Sequence, residues 1–136
     1  MSLTAVIADD EESPLVMQRA FLSRKGYTIV AEKNHGGNLV ELAVRHQPNL
    51  LLTDNNMPQE EGIQAVTELR AQGYTLPIVI NSGKPFELTD TDHSWTPVEE
   101  QGYHPKLDVH LIAKPYGLAD LERSIVRATS ASIQTA

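Results

Sequence analysis

Apolar and polar positions fall in blocks along this chain. Leu3 to Ala8, Tyr27 to Ala31, Asn49 to Thr53, Pro77 to Asn81 and Val109 to Ala113 are short, mainly apolar runs. Runs of this length without strict alternation fit strands covered on both faces. Stretches of helical spacing lie between them. Leu15 to Lys25 places Val16, Met17, Ala20 and Phe21 on one face, with Ser13 as N-cap and Pro14 at the first helical position. Leu39 to His46 does so with Leu39, Leu42, Ala43 and His46. Gly62 to Gln72 uses Ile63, Val66 and Leu69 or Arg70, and Leu118 to Ala128 uses Leu118, Leu121, Ile125 and Ala128. Gly26, Gln47-Pro48 and Gly73 stop the first three helices.

Residues 85–107 break this rhythm, because Pro85, Pro97 and Pro105 forbid one long helix. A short helix is expected there, since Thr96-Pro97-Val98-Glu99 has capping-box spacing and Gly102 can end it. The tail from Thr129 is small and polar and is expected to fray. Strands alternating with helices imply a doubly wound parallel sheet covered on both faces. Residues 1–128 then form one domain and 129–136 a tail. Right-handed crossovers put the carboxyl ends of all the strands on one edge. That edge carries Asp9 and Asp10, Asp54, Ser82 and Lys114.

Composition narrows the choice of partners. The 136 residues carry a formal charge of −7, which argues against nucleic acid or an anionic membrane as the main partner. There is no cysteine, which excludes disulfides and thiolate chemistry and suits a cytoplasmic location. No apolar run approaches the ~20 residues of a membrane helix.

Taken singly, the edge residues have ordinary readings. A double aspartate after a strand is usually a solvated turn, and Ser82 and Lys114 are common loop residues. Together they supply what phosphoryl transfer onto a carboxylate requires. Asp54 is the candidate nucleophile. Asp9, Asp10 and Asp54 form an all-oxygen nest suited to Mg²⁺. Lys114 offers a second positive point, and Ser82 a hydroxyl for another phosphoryl oxygen. Glu11 and Glu12 read as solvated helix-start charges. His35, His46, His93, His104 and His110 are too scattered for a metal site, and Arg19, Arg45 and Arg70 read as solvated.

The segments Asp9-Asp10, Asp54-Asn55-Asn56-Met57-Pro58 with Gly62 beyond, Leu76 to Gly83, and Lys114-Pro115-Tyr116 resemble the receiver domain of two-component response regulators. The likeness runs over about residues 3–128. It implies a flavodoxin-like sheet of order 2-1-3-4-5. It also implies Mg²⁺ held by Asp9, Asp10, Asp54 and the backbone carbonyl of Asn56. Asp54 would accept phosphate from a phosphohistidine on a sensor histidine kinase or a histidine phosphotransfer protein. Ser82 falls at the family's switch hydroxyl, Lys114 at its lysine, and Gly83 at the small residue that leaves room for phosphate. The chain departs from the family at Leu111, where an aromatic residue is usual, and in the broken segment that stands for the fourth helix. Trp95 or Tyr103 replaces that aromatic or pins the broken segment to the core.

Three other readings compete. A haloacid-dehalogenase-type phosphatase also uses an aspartyl nucleophile, but needs an acid two residues on, where this chain has Asn56. An FMN binder needs a hydroxyl- and glycine-rich first loop, where Asp9 to Glu12 would repel phosphate. A receiver-like module used only for protein binding keeps the same residues without phosphorylation. No DNA-binding segment follows residue 128, so output is expected through another protein or a further portion of this one.

Overall fold

The computed structural model describes residues 3–35, 37–98 and 101–135. Its strands are β1 (Leu3–Ala8), β2 (Tyr27–Lys33), β3 (Leu50–Asp54), β4 (Ile78–Ser82), β5 (Thr96–Val98), β6 (Gln101–His104) and β7 (Val109–Ala113). Its helices are α1 (Glu12–Arg24), α2 (Leu39–His46), α3 (Gly62–Ala71), α4 (Phe86–Thr89) and α5 (Leu118–Thr135).

All five residues of β3 are buried, as are all five of β4, which is why their sequences do not alternate. Leu51 joins Val6, Ile78, Ile80, Ala65, Val66 and Leu69 on the face covered by α2 and α3. Leu50 and Leu52 join Ile7, Val79, Leu22, Leu121 and Ile125 on the opposite face, under α1 and α5. Strands β2, β1, β3, β4 and β7 lie side by side and parallel, the order the resemblance implies.

The sheet does not stop at five strands. Antiparallel β6 pairs with β7, and β5 pairs with β6, giving seven strands in the order β2-β1-β3-β4-β7-β6-β5. The helix expected at Thr96 is therefore a strand. Glu99, the far half of its capping box, lies outside the described residues. Tertiary packing overrides the local signal. Trp95 is buried and meets His104 edge-on, with ring centroids 5.1 Å apart. Gly102 of β6 lies beside Leu111 and Trp95: a Cβ there would sit in ordinary contact, 3.5 Å from Leu111 Cβ and 3.6 Å from Trp95. The outermost strand is a tolerable place for Pro97, which has no N–H to offer a ladder. The fourth helix shrinks to the single turn of α4, held by buried Leu88.

Other boundaries shift for local reasons. Helix α1 begins at Glu12, ahead of Ser13, because Asp9 Oδ1 accepts the Glu11 N–H at 3.0 Å and turns the chain early. Its inward row is Leu15, Gln18, Phe21 and Leu22, while Val16 is exposed. Gln18 can lie inside because its amide donates to Tyr116 Oη at 2.9 Å. On α2, Leu39 and Ala43 are buried and His46 is exposed. Helix α5 continues past Ala128 to Thr135, with the Thr129 hydroxyl bonded back to the Ile125 carbonyl. No described helix is long and apolar enough to cross a membrane.

Arg70 is not a solvated charge. Its Nε donates to the Leu107 carbonyl at 2.6 Å, Nη1 to Tyr74 at 2.9 Å and Nη2 to Asp108 at 2.8 Å. One guanidinium thus ties α3 to the turn between β6 and β7. His104 secures the same turn. Its Nδ1 accepts the Leu107 N–H at 3.1 Å, so the ring proton sits on Nε2 and points to Asp92 Oδ2 at 2.7 Å. Arg45, by contrast, is exposed and pairs with Glu41 at 3.5 Å.

Arg70→Met should lower the unfolding free energy by about 2 kcal/mol, the scale of lost charge-assisted hydrogen bonds. Arg70→Lys should recover less than half of this, because an ammonium cannot span three carbonyls. Urea unfolding measures both; equal stability of all three proteins would contradict the clasp.

Candidate functional site

The site lies along one edge of the sheet. Asp9 follows the last residue of β1, its N–H bonded to the Lys33 carbonyl at 3.0 Å. Asp54 ends β3, Ser82 ends β4 and Lys114 follows β7, donating its N–H to the Ser82 carbonyl at 2.8 Å. Parallel pairing in these registers allows the side chains to converge.

Oxygens of Asp9, Asp10 and Asp54 lie within 4.8 Å of one another. Asp9 and Asp54 are buried and Asp10 is exposed, so the cluster opens to solvent on one side. Lys114 Nζ sits 3.0 Å from Asp9 Oδ2 and 3.5 Å from Asp54 Oδ1. Glu11 reaches it at only 3.9 Å from a largely solvated position. Ser82 is buried on the neighbouring strand. Its hydroxyl meets Asn56 Oδ1 at 2.9 Å, not Asp54.

The loop after β3 is fixed by close packing. A Cβ on Gly62 would stand 2.6 Å from the Asp54 carbonyl oxygen, so no larger residue fits there without moving the end of the strand. Asn55 is buried and its side chain accepts the Ile63 N–H at 2.9 Å, locking α3 to the loop. Gly83 differs: a Cβ added there would meet nothing within 4 Å. That open space beside Ser82 leaves room for a ligand.

Burial dominates the electrostatics of these acids, and like charges add to it. Burial, then the charge of Asp9 and contact with Asp10, push the Asp54 carboxyl up to about 7 against the opposing pull of Lys114. Asp9 is also raised, by burial, although the Glu11 amide and Lys114 oppose the shift. Burial pulls Lys114 down, but its bond to Asp9 and the field of Asp54 outweigh this and leave it raised. Asp9 Oδ2 faces the Lys114 ammonium at 3.0 Å, one cation set against three carboxylates. Such an all-oxygen, under-compensated set fits a hard divalent cation.

Sequence reasoning did not single out Gln18 or the Asn56 side chain. Gln18 bonds Tyr116, two residues beyond Lys114, and so braces that loop from α1. The available signal was a glutamine in step with Leu15 and Leu22 on the inward face of the helix.

The sign of the pH effect follows from the raised Asp54. The folded state binds this proton more tightly than the unfolded chain, whose carboxyl titrates near 3.8. Stability from this group is present below about pH 4 and is lost as pH rises to about 7. Asp54→Asn should therefore melt higher than the parent at about pH 8 in chelator, by roughly 3 °C or more, with the gap closing towards about pH 4. A gap independent of pH would contradict the assignment.

Known proteins share this sequence pattern and this fold. The response regulator receiver domain family matches residues 5–91. The transcriptional regulatory protein PdtaR of Mycobacterium tuberculosis is 31% identical over 125 residues, covering 92% of this chain and 56% of that protein. The chemotaxis protein CheY of Bacillus subtilis is 33% identical over 70 residues, 52% of this chain and 58% of its own. The chain thus spans less than two thirds of either relative. Among solved structures, a receiver domain protein of Clostridium thermocellum superposes with a TM-score of 0.77 at 15% identity, over 98% of this chain and 99% of its own. The receiver domain of a Pseudomonas aeruginosa sensor histidine kinase, which has a magnesium ion coordinated in its active-site cleft, gives 0.74 at 20% identity, over 96% and 99%. With a matching family model across most of its length and the same parallel α/β architecture, the chain belongs to the response regulator receiver domain family.

Proposed function

We propose that Asp54 accepts a phosphoryl group from a phosphohistidine on a sensor histidine kinase or histidine phosphotransfer protein. The observation that carries this reading is the convergence of three carboxylates within 4.8 Å, with the Lys114 ammonium 3.5 Å from Asp54. In the transfer, an Asp54 carboxylate oxygen forms a bond to phosphorus while the phosphorus–nitrogen bond to the donor imidazole breaks. The leaving imidazole takes up a proton. Asp54 must be ionised to attack, which its raised proton affinity opposes until positive charge arrives.

Asp9, Asp10, Asp54 and the Asn56 backbone carbonyl would hold Mg²⁺. When bound, the ion supplies positive charge against the carboxylates and phosphoryl oxygens. Lys114 sits close enough to follow a phosphoryl oxygen on Asp54 while keeping Asp9 as counter-ion. The Ser82 hydroxyl, one strand away, would turn to a second oxygen, with Gly83 leaving the space. The chain acts in this way as a cytoplasmic signalling domain that catalyses its own phosphorylation. Output passes to a partner protein or to another segment of a longer chain.

The other readings find less support. Asn56 has no proton to give a leaving group, and its side chain is already bound to Ser82 and Glu87. A module used only for binding would not need three crowded acids at a cost to stability.

Incubation with Mg²⁺ and acetyl phosphate should add the mass of one phosphoryl group to the intact protein. Asp54→Asn should abolish the gain, and Lys114→Ala should slow it by about 10²-fold, the typical loss for a positioned charge at a transferring group. An unmodified wild-type protein, or a gain that survives Asp54→Asn, would overturn the proposal.

A further inference from the structure

The Asn56 side chain has no part in phosphoryl transfer as described above, which uses only its backbone carbonyl. It bridges two other elements. Ser82 Oγ is 2.9 Å from Asn56 Oδ1, and Asn56 Nδ2 is 3.3 Å from Glu87 Oε2 on α4. A carboxylate can only accept, so the amide nitrogen faces Glu87 and the amide oxygen faces Ser82. The Ser82 hydroxyl must then donate to Asn56. Its oxygen also accepts the Lys84 N–H at 3.0 Å. A hydroxyl carries one proton. Ser82 cannot donate it both to Asn56 and to a phosphoryl oxygen on Asp54.

We propose that the Asn56 amide is a latch: engagement of Ser82 with the phosphoryl group and anchorage of α4 through Glu87 exclude each other. This rests on the receiver reading for its trigger. When Ser82 turns its proton away, Asn56 Oδ1 loses its donor and the amide no longer has a reason to keep its pose. Glu87 then loses its hydrogen bond. Among the described residues, the other holds on this helix are few. It is one turn long, Glu87 and Phe86 are exposed, Lys84 stands 3.9 Å from Glu87, and Leu88 is its buried residue. A short element with few buried contacts opens readily. The signal passes from hydroxyl to amide to carboxylate, without requiring an aromatic residue at Leu111.

Amide hydrogen exchange at residues 86–92 tests the latch, using the full chain alone and with Mg²⁺ and beryllofluoride as phosphoryl mimic. In the parent, the mimic should speed exchange about 3- to 10-fold, as expected for loss of one charge-assisted hydrogen bond. In Asn56→Ala and in Glu87→Ala, exchange should already be that fast without the mimic, and the mimic should add little. Asn56→Ala should also bind the mimic several-fold more tightly, since no bond to Ser82 must break. Parent-like exchange in both ligand-free variants, or an undiminished response to the mimic, would overturn the latch. If the parent binds no beryllofluoride, the receiver reading fails instead, and the ligand-free comparison still decides whether Asn56 and Glu87 hold α4.

Discussion

Two buried carboxylates and one exposed carboxylate share a space less than 5 Å across, with Lys114 as the main opposing charge. Everything distinctive about the protein follows from keeping that arrangement together. Left to themselves, the three acids would separate or take up protons. Burial first, and then the neighbouring Asp9 and Asp10, raise the Asp54 carboxyl to about 7. The repulsion is a stored preference for positive charge, and the chemistry of the site consists of satisfying it.

The restraint comes from the sheet. Asp54 cannot retreat, because β3 is buried throughout and Gly62 lies directly against its carbonyl. Asp9 is fixed by the pairing of β1 on both sides and by its bond to the Glu11 amide. Lys114 is carried on a loop that Tyr116 and Gln18 brace against α1. Burial of the leucine-rich strands, ~25 cal/mol per Å² of apolar surface, supplies the energy that holds like charges close. The added hairpin serves the same end at the sheet margin. It covers β7, while Trp95, His104 and Arg70 fasten it to the core.

The parallel sheet and the edge residues were legible because they rest on long, redundant signals. Five apolar runs separated by helical spacing admit few topologies, and the carboxyl-edge rule then gathers Asp9, Asp10, Asp54 and Lys114 without reference to any single contact. The hairpin was not legible. Thr96-Pro97-Val98-Glu99 carries a strong local helix-start pattern, and what defeats it is the burial of Trp95 and the open edge of β7, both non-local. The inward row of α1 was misread for a related reason: Gln18 looks polar until Tyr116, 98 residues on, supplies its partner. Arg70 and the Asn56 side chain are legible only in three dimensions, because their partners are loop carbonyls and a residue on another element.

Calorimetric titration with Mg²⁺ tests the central claim most directly, since it asks whether the crowded acids form one cation site. The parent should bind a single ion, and Asp9→Asn and Asp54→Asn should each weaken binding by at least about tenfold, with uptake by the parent releasing protons near neutral pH. Binding that is unchanged in both variants, or absent from a folded parent, would contradict the account.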